Sequence, residues 1–303
     1  MKLVTFAAGG QTRWGALRGE ILIDLNLARA LHLASQGREA HYLATDVCDF
    51  MRQGEAAWDA ANETLEFFGH RVVEGISFHK ENSKILAPIS NPSKIIGVGL
   101  NYGEHRREHN DSSVAYPVLF SKFPSSIVGP DEPITWDAAM TQQVDYEAEL
   151  GIVIGKQARR VSEIEALEFV FGYINLNDIS ARDLQFDEKG SKQWVRGKSL
   201  DTFCPLGPHL VSKDEIGDVQ NLSVRCWVNS ELRQESNTGN MIYGVAQLVA
   251  FISQGITLMP GDIIASGTPA GVGHHRNPPT YLEPGDVVRV EVEGLGWLVN
   301  PIQ

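Results

Sequence analysis

Short apolar runs open the chain. Leu3–Phe6, Trp14–Leu17 and Ile21–Leu25, separated by Gly-Gly and Arg-Gly-Glu turn signals, predict a small meander of strands. From about Gly37 to His70 the apolar period lengthens and two helices are expected. The second covers Glu55–Phe68, with Trp58, Ala61, Leu65 and Phe68 at helical spacing. Ile85–Pro92 carries Pro88 and Pro92 and reads as a connector in which regular structure pauses. Strand-like runs follow at Lys94–Val98, Val118–Phe120, Leu150–Ile154, Phe169–Leu176, Val224–Val228, Asp262–Ala265 and Val287–Val292. Helices are expected only at Ser162–Phe169 and, most clearly, at Met241–Gln254. Many strands without regular βαβ alternation indicate a β-rich, α+β fold. The texture changes at the connector, so a small N-terminal accessory domain is expected over residues 1–84 and a main domain over 85–303.

Composition narrows the function classes. The 303 residues are 43% hydrophobic and 21% charged, enough apolar material for a large core, which excludes general disorder. A net charge of −12 argues against nucleic-acid binding by bulk electrostatics. No apolar run approaches the roughly 18 residues of a membrane span, and the N-terminus lacks a secretory apolar core, so a cytoplasmic location is expected. Cys48, Cys204 and Cys226 lie far apart, with no zinc or disulfide spacing.

The chemistry concentrates in acids. In Val144-Asp-Tyr-Glu-Ala-Glu-Leu-Gly-Ile-Val-Ile-Gly155, a strand places Asp145, Glu147 and Glu149 on one face. They repel one another unless positive charge lies between them. This run continues into core-like residues, and Asp178 ends another apolar run. Carboxylates at the ends of buried strands, with no His or Cys partner, suit a hard divalent cation such as magnesium or manganese. A solvent-exposed acidic edge is the competing reading.

Several segments in order resemble the fumarylacetoacetate hydrolase family: Glu147-x-Glu149-Leu-Gly, Asn177-Asp-Ile-Ser-Ala-Arg-Asp-Leu-Gln185, Arg196-Gly-Lys198-Ser, Val228-Asn-Ser-Glu-Leu-Arg-Gln234, Gly267-Thr-Pro-Ala-Gly-Val-Gly273 and the ending Leu282-x-Pro-Gly-Asp. The likeness runs from about Lys94 to Pro301. Ser230 departs from the Gly common in the family at that turn. The resemblance implies a mixed β-sandwich roll, a homodimer, and Mg2+ or Mn2+ on Glu147, Glu149 and Asp178, with Asp145 structural.

It also implies roles elsewhere. Gly97-Val-Gly-Leu-Asn-Tyr-Gly-Glu-His-Arg-Arg-Glu108 does not fit G-x-G-x-x-G, so a dinucleotide site is excluded. His105 and Glu108 are spaced to share a helix face. By resemblance they form a lid-borne pair, His105 the base and Glu108 its partner; His109 is expected to be exposed. Lys198 is the expected electrostatic partner of a substrate carboxylate or enolate, and Lys122 matches a pocket lysine. Gln185 is expected to donate to substrate. Arg182 either faces the pocket or neutralises the acids. Thr268 is expected at the substrate carboxylate, and His274 and His275 beyond it at the distal pocket. No G-x-S-x-G occurs, so a serine nucleophile has no support.

The activity implied is hydrolysis of the C–C bond of acylpyruvate-type 2,4-dioxo acids, such as fumarylpyruvate or acetylpyruvate. Pyruvate would leave as a metal-bound enolate, with His105 activating water. Oxaloacetate decarboxylation and isomerisation of hydroxy-dienoates such as 2-hydroxyhepta-2,4-diene-1,7-dioate are the alternatives. From another class, a non-catalytic, metal-dependent dicarboxylate-binding protein also fits. The partner in each case is a small oxo acid.

Overall fold

The computed structural model describes residues 1–108, 115–186 and 192–303. The expected meander forms: β1 (Lys2–Ala8), β2 (Gln11–Arg18) and β3 (Ile21–Asp24) are antiparallel neighbours. The chain then enters a helix the apolar run had hidden, α1 (Leu25–Ser35), where Asp24 caps the Leu27 N–H at 3.0 Å. Helices α2 (Val47–Arg52) and α3 (Glu55–Phe68) follow, then β4 (Ser77–His79) and β5 (Lys84–Leu86). The connector therefore begins inside a strand, because β5 pairs with β1.

Next come β6 (Ile95–Gly99), α4 (Gly103–Glu108), β7 (Val118–Lys122), β8 (Ile127–Val128), β9 (Val144–Asp145) and β10 (Ala148–Ile154). The acid-rich run is thus two strands, with Tyr146 and Glu147 between them. It continues through β11 (Val170–Asn177), β12 (Ser180–Ala181), α5 (Arg182–Gln185), α6 (Trp194–Lys198) and β13 (Cys204–Ser212). The helix expected over Ser162–Phe169 is only a 3-10 turn at Ala166–Phe169. Its apolar residues do not share one face: Ala166 is buried in the core, whereas Ile164 is 95% exposed and Leu167 41%. The last elements are β14 (Ser223–Val228), β15 (Glu231–Asn237), α7 (Val245–Gly255), β16 (Ile263–Ala265), β17 (Val287–Val292) and β18 (Trp297–Pro301).

One mixed sheet runs β4-β3-β2-β1-β13-β11-β10-β16-β6-β7, with β5 beside β1 and β8 beside β13. The N-terminal meander is stitched to the rest where Leu3 of β1 faces Leu210 of β13. Every residue of β10 is buried, because both faces of the sheet are covered. On one face, Leu150, Ile152 and Ile264 pack with α7 and with Val224, Val290 and Leu298 of the second sheet, β15-β14-β17-β18. On the other, Val153, Ile174 and Ile263 pack under α1, α2 and α3. Successive residues serve opposite cores, as strand alternation requires. The acids sit where β10 and β11 meet the short β9–β12 pair.

Candidate active site

Glu147, Glu149 and Asp178 each present a carboxylate oxygen, and the three atoms lie within 4.8 Å of one another. All three residues are buried. Asp178 N–H donates to the Glu147 carbonyl at 2.9 Å, and Glu147 N–H to the Asn177 side chain at 3.0 Å, so β10 and β11 fix the acids from the backbone outward.

Three buried cations answer them. Lys198 Nζ lies 2.8 Å from Glu147 Oε2 and 2.7 Å from Asp178 Oδ2, and donates to Ser180 Oγ at 2.8 Å. Lys122 Nζ pairs with Asp178 Oδ1 at 2.6 Å and also donates to the Lys198 carbonyl. Arg182 places Nη1 2.6 Å from Glu147 Oε1 and Nη2 2.9 Å from Asp145 Oδ2. Gly197 lets α6 close on α5: a Cβ there would meet Gln185 N at 2.8 Å.

The electrostatics are lopsided. Burial favours the neutral form of Glu147, yet Lys198 and Arg182 hold its carboxyl far below the ordinary range. Burial also opposes the charge on Lys198, but Asp178 and Glu147 raise its pKa. Glu149 is different. It accepts the Gly267 N–H at 2.8 Å and has no ion-pair partner among the described residues. Burial, then the charges of Asp178 and Glu147, push it well above the usual carboxylate range. Four buried carboxylates, counting Asp145, face three buried cations. An all-oxygen donor set short of positive charge fits a hard divalent cation.

Above the acids, α4 carries His105, which is 4% exposed, and Glu108. His105 Nδ1 lies 2.9 Å from Glu108 Oε2, while Glu108 Oε1 accepts the Gly271 N–H at 3.0 Å. The short helix is latched to the glycine loop. Burial raises the Glu108 pKa, but the His105 and Gly271 hydrogen bonds lower it further, so it is held below the ordinary range. With Nδ1 protonated toward Glu108, Nε2 carries the lone pair.

The structure brings His105, Glu147, Glu149, Arg182, Gln185, Lys198 and Thr268 around one narrow pocket. Lys122 lies behind Asp178, fully buried, and does not line it. Lys198 points its ammonium into the acid cluster. Arg182 neutralises Asp145 and Glu147 while also lining the pocket. Gln185 Oε1 accepts from Arg182 at 3.1 Å, which leaves its NH2 as the donor end. The Thr268 hydroxyl donates to the Ala148 carbonyl at 3.0 Å and accepts from Gln234 at 2.8 Å. His109 lies outside the described residues.

Three residues position the site, and two of them, Gln234 and Asn101, emerge only in three dimensions. Asp145 accepts the Gly273 and His274 N–H groups at 2.8 and 2.9 Å, giving its structural assignment a physical content. Gln234 clamps the glycine loop to β10 through Thr268, the Pro269 carbonyl and the Ala148 N–H. Asn101 ties the base of α4 to Tyr243 and Ser266. Gln234 closes a segment carrying the family likeness and Asn101 lies within its overall span, the only sequence signal for them.

A mixed sheet backed by a smaller antiparallel one, with a buried acid triad under a His–Glu pair at its centre, defines the class as the fumarylacetoacetate hydrolase-type enzymes. The chain belongs to that family: residues 94–303 match its profile, described as fumarylacetoacetate (FAA) hydrolase C-terminal. A mitochondrial oxaloacetate tautomerase of Xenopus laevis is 46% identical over 254 residues, covering 84% of this chain and 77% of that protein. A solved fumarylacetoacetate hydrolase from the psychrophile Exiguobacterium antarcticum is 37% identical with a TM-score of 0.80, covering 100% of this chain and 99% of that one. A maleylpyruvate hydrolase from Sphingobium sp. SYK-6, solved with manganese(II) and pyruvate, is 28% identical with a TM-score of 0.75, covering 100% and 98%. Among the described residues no helix is long and apolar enough to cross a membrane.

Proposed function

We propose that the chain interconverts the keto and enol forms of a small 2-oxo diacid of the oxaloacetate type. The observation that carries this reading is the His105–Glu108 pair, 2.9 Å apart and latched over the acid triad. The similarity to an oxaloacetate tautomerase supports it. This replaces acylpyruvate hydrolysis as the leading reading, because proton transfer needs only one base and a stabilised enolate.

Glu147, Glu149 and Asp178 would hold magnesium or manganese, whose Lewis acidity, when bound, makes the C3 protons of a 2-oxo acid more acidic. In the keto-to-enol direction, His105 Nε2 takes a C3 proton. The C–H electron pair becomes the C2–C3 double bond, and the C2 oxygen gains the negative charge. Glu108 keeps the ring oriented and stabilises the imidazolium. Gln185 NH2, left as the donor end by the Arg182 contact, would donate to an oxygen of the substrate. Lys198 and Arg182 balance the acids so that the pocket is not repulsive to an anion. Returning the proton to the C2 oxygen completes the exchange, with atoms and charge balanced.

C–C hydrolysis of acylpyruvates stands as the second reading, favoured by the likeness to a maleylpyruvate hydrolase solved with pyruvate. There His105 would deprotonate water instead of carbon. Decay of the enol absorbance of oxaloacetate, followed with protein and magnesium against magnesium alone, tests the first reading. Chelation and His105→Ala should each abolish the protein-dependent rate. No acceleration over magnesium alone overturns tautomerisation. Cleavage of acetylpyruvate instead supports hydrolysis, and binding without any turnover supports a dicarboxylate-binding protein.

A further inference from the structure

The catalytic pocket is nearly closed. Its volume is about 10 Å3, roughly room for one water. No oxo acid enters a space that small unless part of the wall moves. His274 and His275, expected at its far end, are not among the described residues that line it. Phe120 and Trp194 do line it, and they also line a surface groove of about 770 Å3. Among the described residues these two alone belong to both spaces, so their rings are the partition between pocket and groove.

The partition is the most loosely held part of the wall. Phe120 stands on β7, the edge strand of the large sheet, directly across from Gly97 of β6. Trp194 opens α6, the helix that ends in Lys198. Both rings lie against bare glycine: a Cβ at residue 99 would meet Trp194 Cζ3 at 2.5 Å, and one at residue 97 would overlap the Phe120 ring. The two ring centroids are 5.4 Å apart, and the Lys198 ammonium lies over the Phe120 ring at 5.1 Å. Elsewhere charge and hydrogen bonds pin the wall, through the ion pairs of Arg182 and Lys198 with Glu147 and the Glu108 contact that latches α4 to Gly271. Sliding one ring past another forfeits only dispersion contacts, whereas parting a buried ion pair strands both charges.

The groove also suits an anion. It carries the exposed cations Lys192 and Arg196, neither with an ion-pair partner among the described residues, and no described carboxylate lines it. The whole chain has a net charge of −12, so an oxo-acid dianion meets a repulsive field over most of the surface, and a local positive mouth decides where it arrives. Arg182 and Lys198 cannot supply that attraction, because buried acids already engage them. We propose that this groove is the entrance of the site: Lys192 and Arg196 draw the anion in, and Phe120 and Trp194 part to admit it. The proposal rests on the oxo-acid reading of the triad and holds for tautomerisation and hydrolysis alike.

The test uses the full chain with saturating magnesium. Reversing both groove charges, Lys192→Glu with Arg196→Glu, should lower kcat/KM for oxaloacetate about tenfold at low ionic strength, with kcat within about twofold. Raising the salt to about 0.5 M should close most of that gap. Arg38→Glu with Lys156→Glu makes the same change in net charge at exposed positions outside the groove, and should leave kcat/KM within about twofold. Oxalate, an unreactive dianion that chelates as a 2-oxo acid does, gives a readout independent of turnover. Its calorimetric Kd at low salt should rise about fivefold in the groove variant and hold in the control. Phenylpyruvate, a 2-oxo acid with a ring for its tail, tests the shutter: Trp194→Ala should raise its rate relative to oxaloacetate about tenfold, while Trp194→Phe keeps the parent's preference. Equal losses in the groove and control variants, no loss in either, or a groove loss that survives salt overturns the entrance. An unchanged preference in Trp194→Ala overturns the shutter. If oxalate binding behaves as stated but oxaloacetate is not turned over, the tautomerase reading fails and the entrance stands.

Discussion

The two ends of the central strand β11, at Phe171 and at Asn177–Asp178, solve burial in opposite ways. Under α1, α2 and α3 the N-terminal end packs hydrocarbon and aromatic rings: Phe50 lies 5.1 Å from Trp14, and Trp58 meets Phe171 edge-on at 5.5 Å. At the other end, Asp145, Glu147, Glu149, Asp178, Lys122, Arg182 and Lys198 are all at most 5% exposed and pressed into one cluster. Apolar burial is graded, each side chain contributing by its own area and fit. Ionic burial is collective, because losing one partner strands the others in low dielectric. The first end can drift in sequence while keeping its shape, whereas the second holds its chemistry only as a set.

The largest expected effect tests the collective end. Lys198→Met leaves Glu147 and Asp178 without their shared ammonium, which should cost about 3–5 kcal/mol of stability. Turnover should fall roughly 10²–10³-fold. Urea unfolding and enol-decay rates measure the two; a variant as stable as the parent would break the comparison. Phe50→Ala is the matching change at the apolar end. It should cost about 3–5 kcal/mol by opening a cavity, yet leave kcat/KM within about twofold at a temperature where the variant is folded. Turnover that fell along with stability would show the two ends to be one cooperative unit.

How far each end could be read from the sequence follows the same division. The meander and α3 were legible because their apolar residues repeat with the period of the element they form. Helix α1 was not, since Ile21–Leu25 looks like an uninterrupted strand and hides Asp24 as a cap. Strand β13 is central and wholly buried, but Pro205, Gly207 and Pro208 disguise it, and its pairing with β11 shifts register between Tyr173 and Asn175, where Gly207 enters. The triad could be anticipated from acid spacing together with family motifs. The choice for Arg182 could not, because it is decided by distances to Asp145 and Glu147. Asn101 and Gln234 act on backbone groups distant in sequence, at Tyr243 and Ala148, which no local pattern encodes.

The joint between the ends carries its own pH sensor of stability. His209, on β13 and 6% exposed, has its pKa lowered to about 4 by burial, then by the charges of Lys2 and Lys80. The folded value lies below the unfolded one, so the unfolded chain binds more protons between them. This stability is fully present above about pH 6.5 and is lost as pH falls toward 4, by about 3 kcal/mol in all. His209→Gln should remove that pH dependence. Unfolding midpoints at pH 7 and pH 4.5 that shift equally in parent and variant would assign the acid sensitivity to other groups.

The smallest expected effect separates chemistry from scaffold most cleanly. Glu108 is half-buried and belongs to neither core; it touches only His105 and the Gly271 N–H among its hydrogen bonds in the described residues. Glu108→Gln keeps an oxygen for one of those donors and removes the carboxylate charge beside the His105 ring. Stability should change by less than about 1 kcal/mol, while kcat falls about tenfold with KM nearly constant. The sign with pH follows from the direction of its pKa. Because His105 and Gly271 hold the carboxyl below its ordinary value of 4.5, the latch is fully present above that value in the parent and fades only as pH falls through the depressed one. The glutamine variant lacks that titration, so the stability difference between the two proteins should narrow at strongly acid pH. A kcat equal to the parent's would mean that α4 merely covers the acids, and the contrast between the two ends of the strand would then rest on the buried ion cluster alone.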